Sequence, residues 1–261
     1  MRIRTVNIDA DIEAILQEAI LDGNKMILNS QLSPALYKRV MKVIELIGFK
    51  WNRKLKCHIG EGDAADKLRQ ALSDGKVVNE KKTYQFYETP DAVADHLVEL
   101  ADIGSHHSVL EPNAGKGAIV RAIQRGCPNL AVVYACELNP TMASDLSNLS
   151  VASGIAGYGD VDVSCGDFLE YNRKVDRIVM NPPFCQLQDI DHLRHAYDLL
   201  NSGGIVVAIL SKAWQTNGNR KAQSFRDWSS KQDMYVEDLP AGTFSKSGTE
   251  IGAMIVKIAK T

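Results

Sequence analysis

The sequence predicts an α/β protein: a seven-stranded, mostly parallel, Rossmann-like sheet behind a small α/β N-terminal domain. Three observations carry this. After residue 83, short apolar runs alternate with helical stretches, the pattern of a parallel sheet covered on both faces. A loop containing two glycines follows the first of these runs and opens a helix. Acidic residues close the first three runs, where an open parallel sheet gathers its ligand-binding groups.

The chain of 261 residues suits one large domain with a small accessory one. Its apolar fraction of 45% and charged fraction of 24% are those of an ordinary globular protein. No apolar run reaches bilayer length, and acids interrupt the apolar part of residues 1–16. Neither a membrane span nor a signal peptide is expected, and a cytoplasmic location is the default. The five cysteines (Cys57, Cys127, Cys136, Cys165, Cys185) include no Cys-x-x-Cys pair, so neither a disulfide framework nor a zinc site is expected. Residues 1–82 hold fifteen basic and eleven acidic side chains, net +4, against fifteen and twenty-one, net −6, in the remainder. A mildly basic first unit suits contact with phosphates, although so small an excess also arises by chance.

Residues 1–82 form the first domain and 83–261 the second, with the boundary in the polar stretch 74–82. In the first, a strand at 25–28 leads to Ser33-Pro34, an N-cap followed by proline at N1. Leu36, Val40, Val43, Ile44 and Ile47 then recur at helical spacing. Residues 49–51 and 56–59 read as a hairpin turned by Asn52-Arg53-Lys54, and 63–72 as a second helix. The hairpin interleaves Lys50, Arg53, Lys54, Lys56 and His58 with Trp51. Cations beside an aromatic ring bind a nucleic-acid backbone and stack on a base. The alternative is an edge hairpin kept soluble by its lysines, with Trp51 in a small core.

In the second domain, strands are expected at 108–110, 131–136, 161–164, 175–180, 204–210, 234–236 and 253–258. Helices fit at 117–125, 140–149 and 190–200. The first strand runs into Glu111-Pro112-Asn113-Ala114-Gly115-Lys116-Gly117. Similar loops bind dinucleotides, but the third glycine of that fingerprint is missing. The acid also precedes the loop, where it would repel a pyrophosphate and favour a cofactor with a positive end. Glu137, ending the second strand, can accept both hydroxyl hydrogens of a ribose. Asp167, after the third strand, can take an adenine amino group while Phe168 packs on the ring.

The fourth strand ends in Asn181-Pro182-Pro183-Phe184. Two prolines fix the backbone and remove two N–H donors, exposing acceptors beside the Asn181 amide. An exocyclic amine on an aromatic ring is a poor nucleophile because its lone pair is delocalised. Accepting its two hydrogens at the Asn181 side-chain oxygen and the Pro182 carbonyl pulls the nitrogen toward sp³, ready to attack a methyl carbon. Phe184 would stack on the base once it leaves its helix. Cys185, next in the chain, is read as a pocket-lining residue.

These residues resemble the class I S-adenosylmethionine-dependent methyltransferases that modify exocyclic amines, whose catalytic motif is [DNS]-P-P-[YFW]. Tyr87-Glu88-Thr89-Pro90 is similar to the Thr-Pro element preceding the cofactor loop in DNA adenine methyltransferases. The order of motifs matches their γ arrangement. The later segments Asp189-Ile190-Asp191-His192, Gly203-Gly204, Phe225-Arg226-Asp227-Trp228 and Leu239-Pro240-Ala241-Gly242-Thr243-Phe244 look like the bacterial and phage members. The resemblance implies S-adenosylmethionine as cofactor, held by Thr89, Pro90, Glu111, Asn113, Gly115, Gly117, Glu137, Leu138, Asp167, Phe168 and Asn181. It implies catalysis by Asn181, Pro182, Pro183 and Phe184, no metal, and nucleic acid as partner, with adenine N6 in DNA the first choice. Two departures stand out. The first acid is Glu rather than the commoner Asp. Only 77 residues follow Phe184, too few for a target-recognition domain after the catalytic motif. Sequence reading would then fall to residues 1–82, with Lys50, Trp51, Arg53 and Lys54 as candidates, to loops 186–189 and 211–220, or to a partner. The same Asn-Pro-Pro-Phe occurs in ribosomal RNA guanine-N2 methyltransferases, and a Tyr-ended form in protein glutamine methyltransferases. A non-catalytic module binding cofactor or nucleic acid for a partner is the alternative of another class.

Overall fold

The computed structural model describes residues 5–60, 62–79, 87–152, 160–245 and 251–261, and divides into two compact units, Met1–Thr83 and Tyr84–Thr261.

In the first unit, β1 (Thr5–Asn7) pairs antiparallel with β6 (Lys76–Val78). A second sheet runs in the order β2 (Ile20–Asp22), β3 (Lys25–Ile27), β5 (Cys57–Gly60), β4 (Phe49–Asn52). Three helices, α1 (Ala10–Gln17), α2 (Pro34–Ile47) and α3 (Ala64–Asp74), cover it through Ile12, Ile15, Val40, Val43, Ile44, Ile47 and Leu68. The Ser33 hydroxyl accepts from the Leu36 N–H at 3.4 Å and starts α2, as the Ser-Pro pair anticipates. β6 lies inside the polar stretch expected to be a plain boundary. Val77 is buried there because β1, some seventy residues away in the chain, supplies its partner.

The second unit is built on seven strands in the order β12 (Met234–Asp238), β13 (Ala253–Ala259), β11 (Leu200–Ser211), β10 (Val175–Met180), β7 (Val109–Glu111), β8 (Val132–Glu137), β9 (Asp160–Cys165). β13 alone runs antiparallel to its neighbours β11 and β12, while β11, β10, β7, β8 and β9 pair in parallel. The sheet is mostly parallel, as expected. Alternate residues of one strand feed opposite cores. Val179 and Val207 pack beneath α4 (Asp91–Ala101) and α5 (Ala118–Gly126), while Met180 and Ala208 share a core with α7 (Gln188–Leu199), the short α8 (Ala213–Thr216) and α9 (Arg220–Ser229). α6 (Pro140–Ala152) adds Leu146 to the first core. A sheet buried on both faces explains why its strands read as unbroken apolar runs.

The chain order reverses between β7 and β10, the point at which an open sheet leaves a crevice at its carboxyl ends. Opposite that crevice, the Lys260 ammonium donates to the carbonyls of Tyr197, Asp198 and Leu200 at 3.0–3.1 Å, closing the C-terminus of α7. A cation on unsatisfied terminal carbonyls also opposes the helix dipole. Lys260→Met is expected to cost about 1 kcal/mol of stability, measured by urea unfolding.

Candidate active site

The carboxyl ends of β7, β8 and β10 converge, since β7 lies between the other two. Glu111 ends β7 and is 2% exposed. Its carboxylate accepts from the Val120 N–H, in the first turn of α5. That is the job of an N-cap side chain, which the actual N-cap residue, Gly117, lacks. The other Glu111 oxygen, Oε2, is buried with no hydrogen-bond partner among the described residues. Burial, with the nearby Glu137 charge, raises the Glu111 pKa well above the ordinary carboxylate range. A buried carboxylate oxygen without a donor is costly, and a cationic or N–H-bearing ligand would satisfy it.

Between Glu111 and α5 the backbone turns twice through the left-handed region, at Gly115 (φ 53°) and Gly117 (φ 78°). Residues with a Cβ resist these angles, so both glycines are dictated by the turn. Glu137, ending β8, holds this loop from the side. Its Oε2 accepts from the Gly115 N–H and its Oε1 from the Asn139 N–H, both at 2.7 Å. The side chain is 8% exposed and its pKa is raised by burial. Each oxygen keeps a second lone pair, so ribose hydroxyls remain possible donors to an anchored carboxylate. Leu138 follows, half-buried, and Asn139 caps α6 by accepting from the Thr141 N–H at 2.9 Å.

Asp167, beyond β9, is half-buried and accepts from the Leu169 N–H at 3.1 Å, capping the short 3-10 turn Phe168–Glu170. Phe168, expected to pack on an adenine ring, is 2% exposed and belongs to the core. Its ring lies 5.4 Å from that of His192 and 4.9 Å from that of His195, both on α7. The packing of α7 against the 3-10 turn Phe168–Glu170 is a tertiary fact with no local sequence signal. Asn113 is tied to the same helix, its amide atoms lying 3.2 and 3.3 Å from His192 Nδ1. Burial pushes the His192 pKa down to about 4, so the imidazole is neutral near pH 7 and can pair with an uncharged amide. His192 therefore links the loop after β7 to α7, a role the sequence reading did not assign.

Asn181 follows β10, with Pro182 buried and Pro183 and Phe184 half-buried. The Asn181 Nδ2 donates to the Thr89 hydroxyl at 3.0 Å and the Tyr87 carbonyl at 3.2 Å. Both amide hydrogens are thereby used, which leaves the side-chain oxygen as the group available to another donor. Thr89, expected at the cofactor, is 6% exposed and holds the Asn181 amide; Pro90 follows as the N-cap residue of α4. Phe184 packs at the edge of the first core. Cys185 is exposed, and Gln186 and Leu187 follow with φ of 58° and 56°.

The chain has the class I methyltransferase fold. It is similar to the methyltransferase subunit of a type I restriction-modification system from Streptococcus thermophilus (TM-score 0.57, 18% identity), covering 77% of this chain and 50% of that one. It is similar to a proposed RNA methyltransferase from Pyrococcus horikoshii (TM-score 0.51, 21% identity, 68% and 88% covered). A dimethyladenosine transferase from Plasmodium falciparum matches with TM-score 0.52 and 16% identity, covering 67% of this chain and 63% of that one. The chain thus spans about half the length of the restriction-modification subunit. No protein-family profile matches the sequence, and no curated protein matches it.

In the first unit, Lys50, Trp51, Arg53, Lys54 and Lys56 are all exposed, and Trp51 is 53% so. Trp51 is therefore not a core residue of the small domain. Its ring centroid lies 5.0 Å from that of His58, its cross-strand neighbour. The turn is held by Asn52, whose side-chain oxygen accepts from the N–H groups of Lys54 and Leu55 at 3.0 and 3.1 Å. Among the described residues there is no cluster of three or more potential metal ligands, and no helix is long and apolar enough to cross a membrane.

Proposed function

We propose that the protein is an S-adenosylmethionine-dependent methyltransferase acting on an exocyclic amino group, with adenine N6 in DNA as the substrate. The observation that carries this reading is the orientation of Asn181. Its NH2 is held by Thr89 and Tyr87, so its oxygen is set to accept a hydrogen from an incoming amine. A preorganised acceptor costs no reorganisation when the amine nitrogen gains tetrahedral character. Phe184 supplies an aromatic face for the base, and Pro182 a carbonyl in a backbone fixed by the following proline.

The cofactor would lie along the ends of β7, β8 and β9. Glu111 and the Gly115–Gly117 turn would take its amino acid end, Glu137 its ribose, and Asp167 its adenine. When bound, S-adenosylmethionine supplies an electrophilic methyl group. The unsatisfied Glu111 Oε2 supports such an occupant, because a cationic group there removes the cost of a bare buried carboxylate.

The restriction-modification neighbour supports DNA as the polymer, and the neighbour described for RNA supports guanine N2 in RNA as the second reading. A bacterial or phage protein working in the cytoplasm fits either. Methyl transfer from tritiated S-adenosylmethionine to duplex DNA, total RNA and protein in parallel separates them. The expected result is label in DNA alone. Label in RNA moves the assignment to the second reading, and label in protein rejects both.

The hairpin of the first unit is assigned the nucleic-acid backbone. Replacing Lys50, Arg53 and Lys54 by Ala should weaken DNA binding and flatten its dependence on salt, by about 0.9 in the log–log slope for each phosphate that is no longer neutralised. An unchanged slope in fluorescence anisotropy would remove the hairpin from the interface.

A further inference from the structure

The geometry points to Lys221 as a positioning residue: it holds the turn Gln186–Leu187 in its left-handed conformation and so fixes the Phe184 side of the acceptor site. This inference rests on the reading of Asn181-Pro182-Pro183-Phe184 as the amine site.

Two consecutive non-glycine residues, Gln186 (φ 58°) and Leu187 (φ 56°), adopt the left-handed region one residue beyond the motif. Each such residue is disfavoured by about tenfold in population relative to its ordinary conformations. A turn of this kind persists only where its surroundings impose it. One restraint is local, the Leu187 N–H donating to the Phe184 carbonyl at 3.2 Å. A second lies just downstream, where buried Asp189 accepts from the N–H and hydroxyl of Ser211, at the end of β11, at 2.8 and 2.7 Å. Neither reaches Gln186. The Lys221 ammonium does, from the first turn of α9: it donates to the Gln186 carbonyl at 2.8 Å and pairs with Asp191 of α7 at 2.5 Å. Its side chain is 34% exposed, so the contact is partly shielded from water. One cation thus joins the carbonyl of a disfavoured residue to the helix that follows it. No sequence spacing signals the contact, since Lys221 and Gln186 lie 35 residues apart.

The turn can be watched without methyl transfer, because exposed Cys185 sits within it. Wild type, Lys221→Met, Lys221→Arg and the double variant Lys221→Met/Gln186→Gly are compared in two assays. One is the rate of Cys185 alkylation by iodoacetamide, read by mass spectrometry of its peptide. The other is kcat for methyl transfer, beside the Kd for S-adenosylmethionine. In Lys221→Met, Cys185 alkylation should accelerate several-fold and kcat fall about tenfold, with the cofactor Kd unchanged. Lys221→Arg should recover part of both. The glycine variant should recover most of both, because glycine adopts the left-handed region without restraint. Should Lys221→Met fail to fold, Asp191→Asn carries the test, with the same directions and smaller changes. Unchanged Cys185 reactivity overturns the proposal, as does a defect that glycine at 186 leaves in place. If wild type transfers no methyl group, the proposed function fails, while alkylation still decides whether Lys221 holds the turn.

Discussion

Asn181→Ala should lower the rate of methyl transfer by about 10²–10³-fold, the usual cost of deleting one preorganised hydrogen-bonding group from a reacting centre. The cofactor Kd should stay nearly unchanged, because the Asn181 amide hydrogens are spent on Thr89 and Tyr87 and its oxygen is the atom assigned to the amine in the proposed function. The two effects separate in single-turnover kinetics and calorimetry. Thr89→Val provides the graded comparison. It removes the hydroxyl acceptor at 3.0 Å while leaving the Tyr87 carbonyl, so the amide loses one of two restraints. Its effect should lie in kcat and be smaller than that of Asn181→Ala. A Thr89→Val enzyme impaired only in cofactor binding would return Thr89 to the cofactor side, where the Thr-Pro resemblance puts it.

Glu137→Ala should weaken binding of S-adenosylmethionine at least about tenfold, since charge-assisted hydrogen bonds to a carboxylate are among the stronger polar contacts. The structure adds a second source of loss. The carboxylate also anchors the Gly115 N–H, so its removal loosens the turn on which the cofactor would lie. Glu137→Gln keeps one acceptor oxygen and should fall between the two. The pH dependence has a definite sign. Burial raises the Glu137 pKa, so its charged form is lost on acidification at a higher pH than for an ordinary carboxylate. Affinity should therefore decline as pH falls through that raised value, and the decline should be shallower in Glu137→Ala. Unchanged calorimetric affinity in Glu137→Ala would remove the ribose assignment.

The second unit was legible in the sequence where burial on both faces turns a strand into an apolar run. Val175–Met180 and Ala253–Ala259 show this directly. β11 begins at Leu200, ahead of the expected 204, because Asn201-Ser202-Gly203 is polar and extends no apolar run. α9 went unread because its sequence, RKAQSFRDWS, buries little beyond Ala222 and Phe225. The short β1, β2 and β6 are stabilised by partners, which no local pattern reveals. The placement of Glu111, Glu137 and Asn181 at strand ends was legible because each closes or follows an apolar run. Their partners were not. Thr89 lies 92 residues from Asn181 and His192 lies 79 residues from Asn113, and neither pairing leaves a spacing signature. The packing of the Phe168 ring against His192 and His195 of α7 is likewise invisible in the spacing.

The most direct test is mass spectrometry of nucleosides released from DNA incubated with the protein and trideuteromethyl-labelled S-adenosylmethionine, run beside Asn181→Ala. The result expected is labelled N6-methyladenine with the wild type and essentially none with the variant. Cofactor bound tightly by both proteins, with no labelled base in DNA or RNA, would contradict catalysis by this site and leave a binding module in its place.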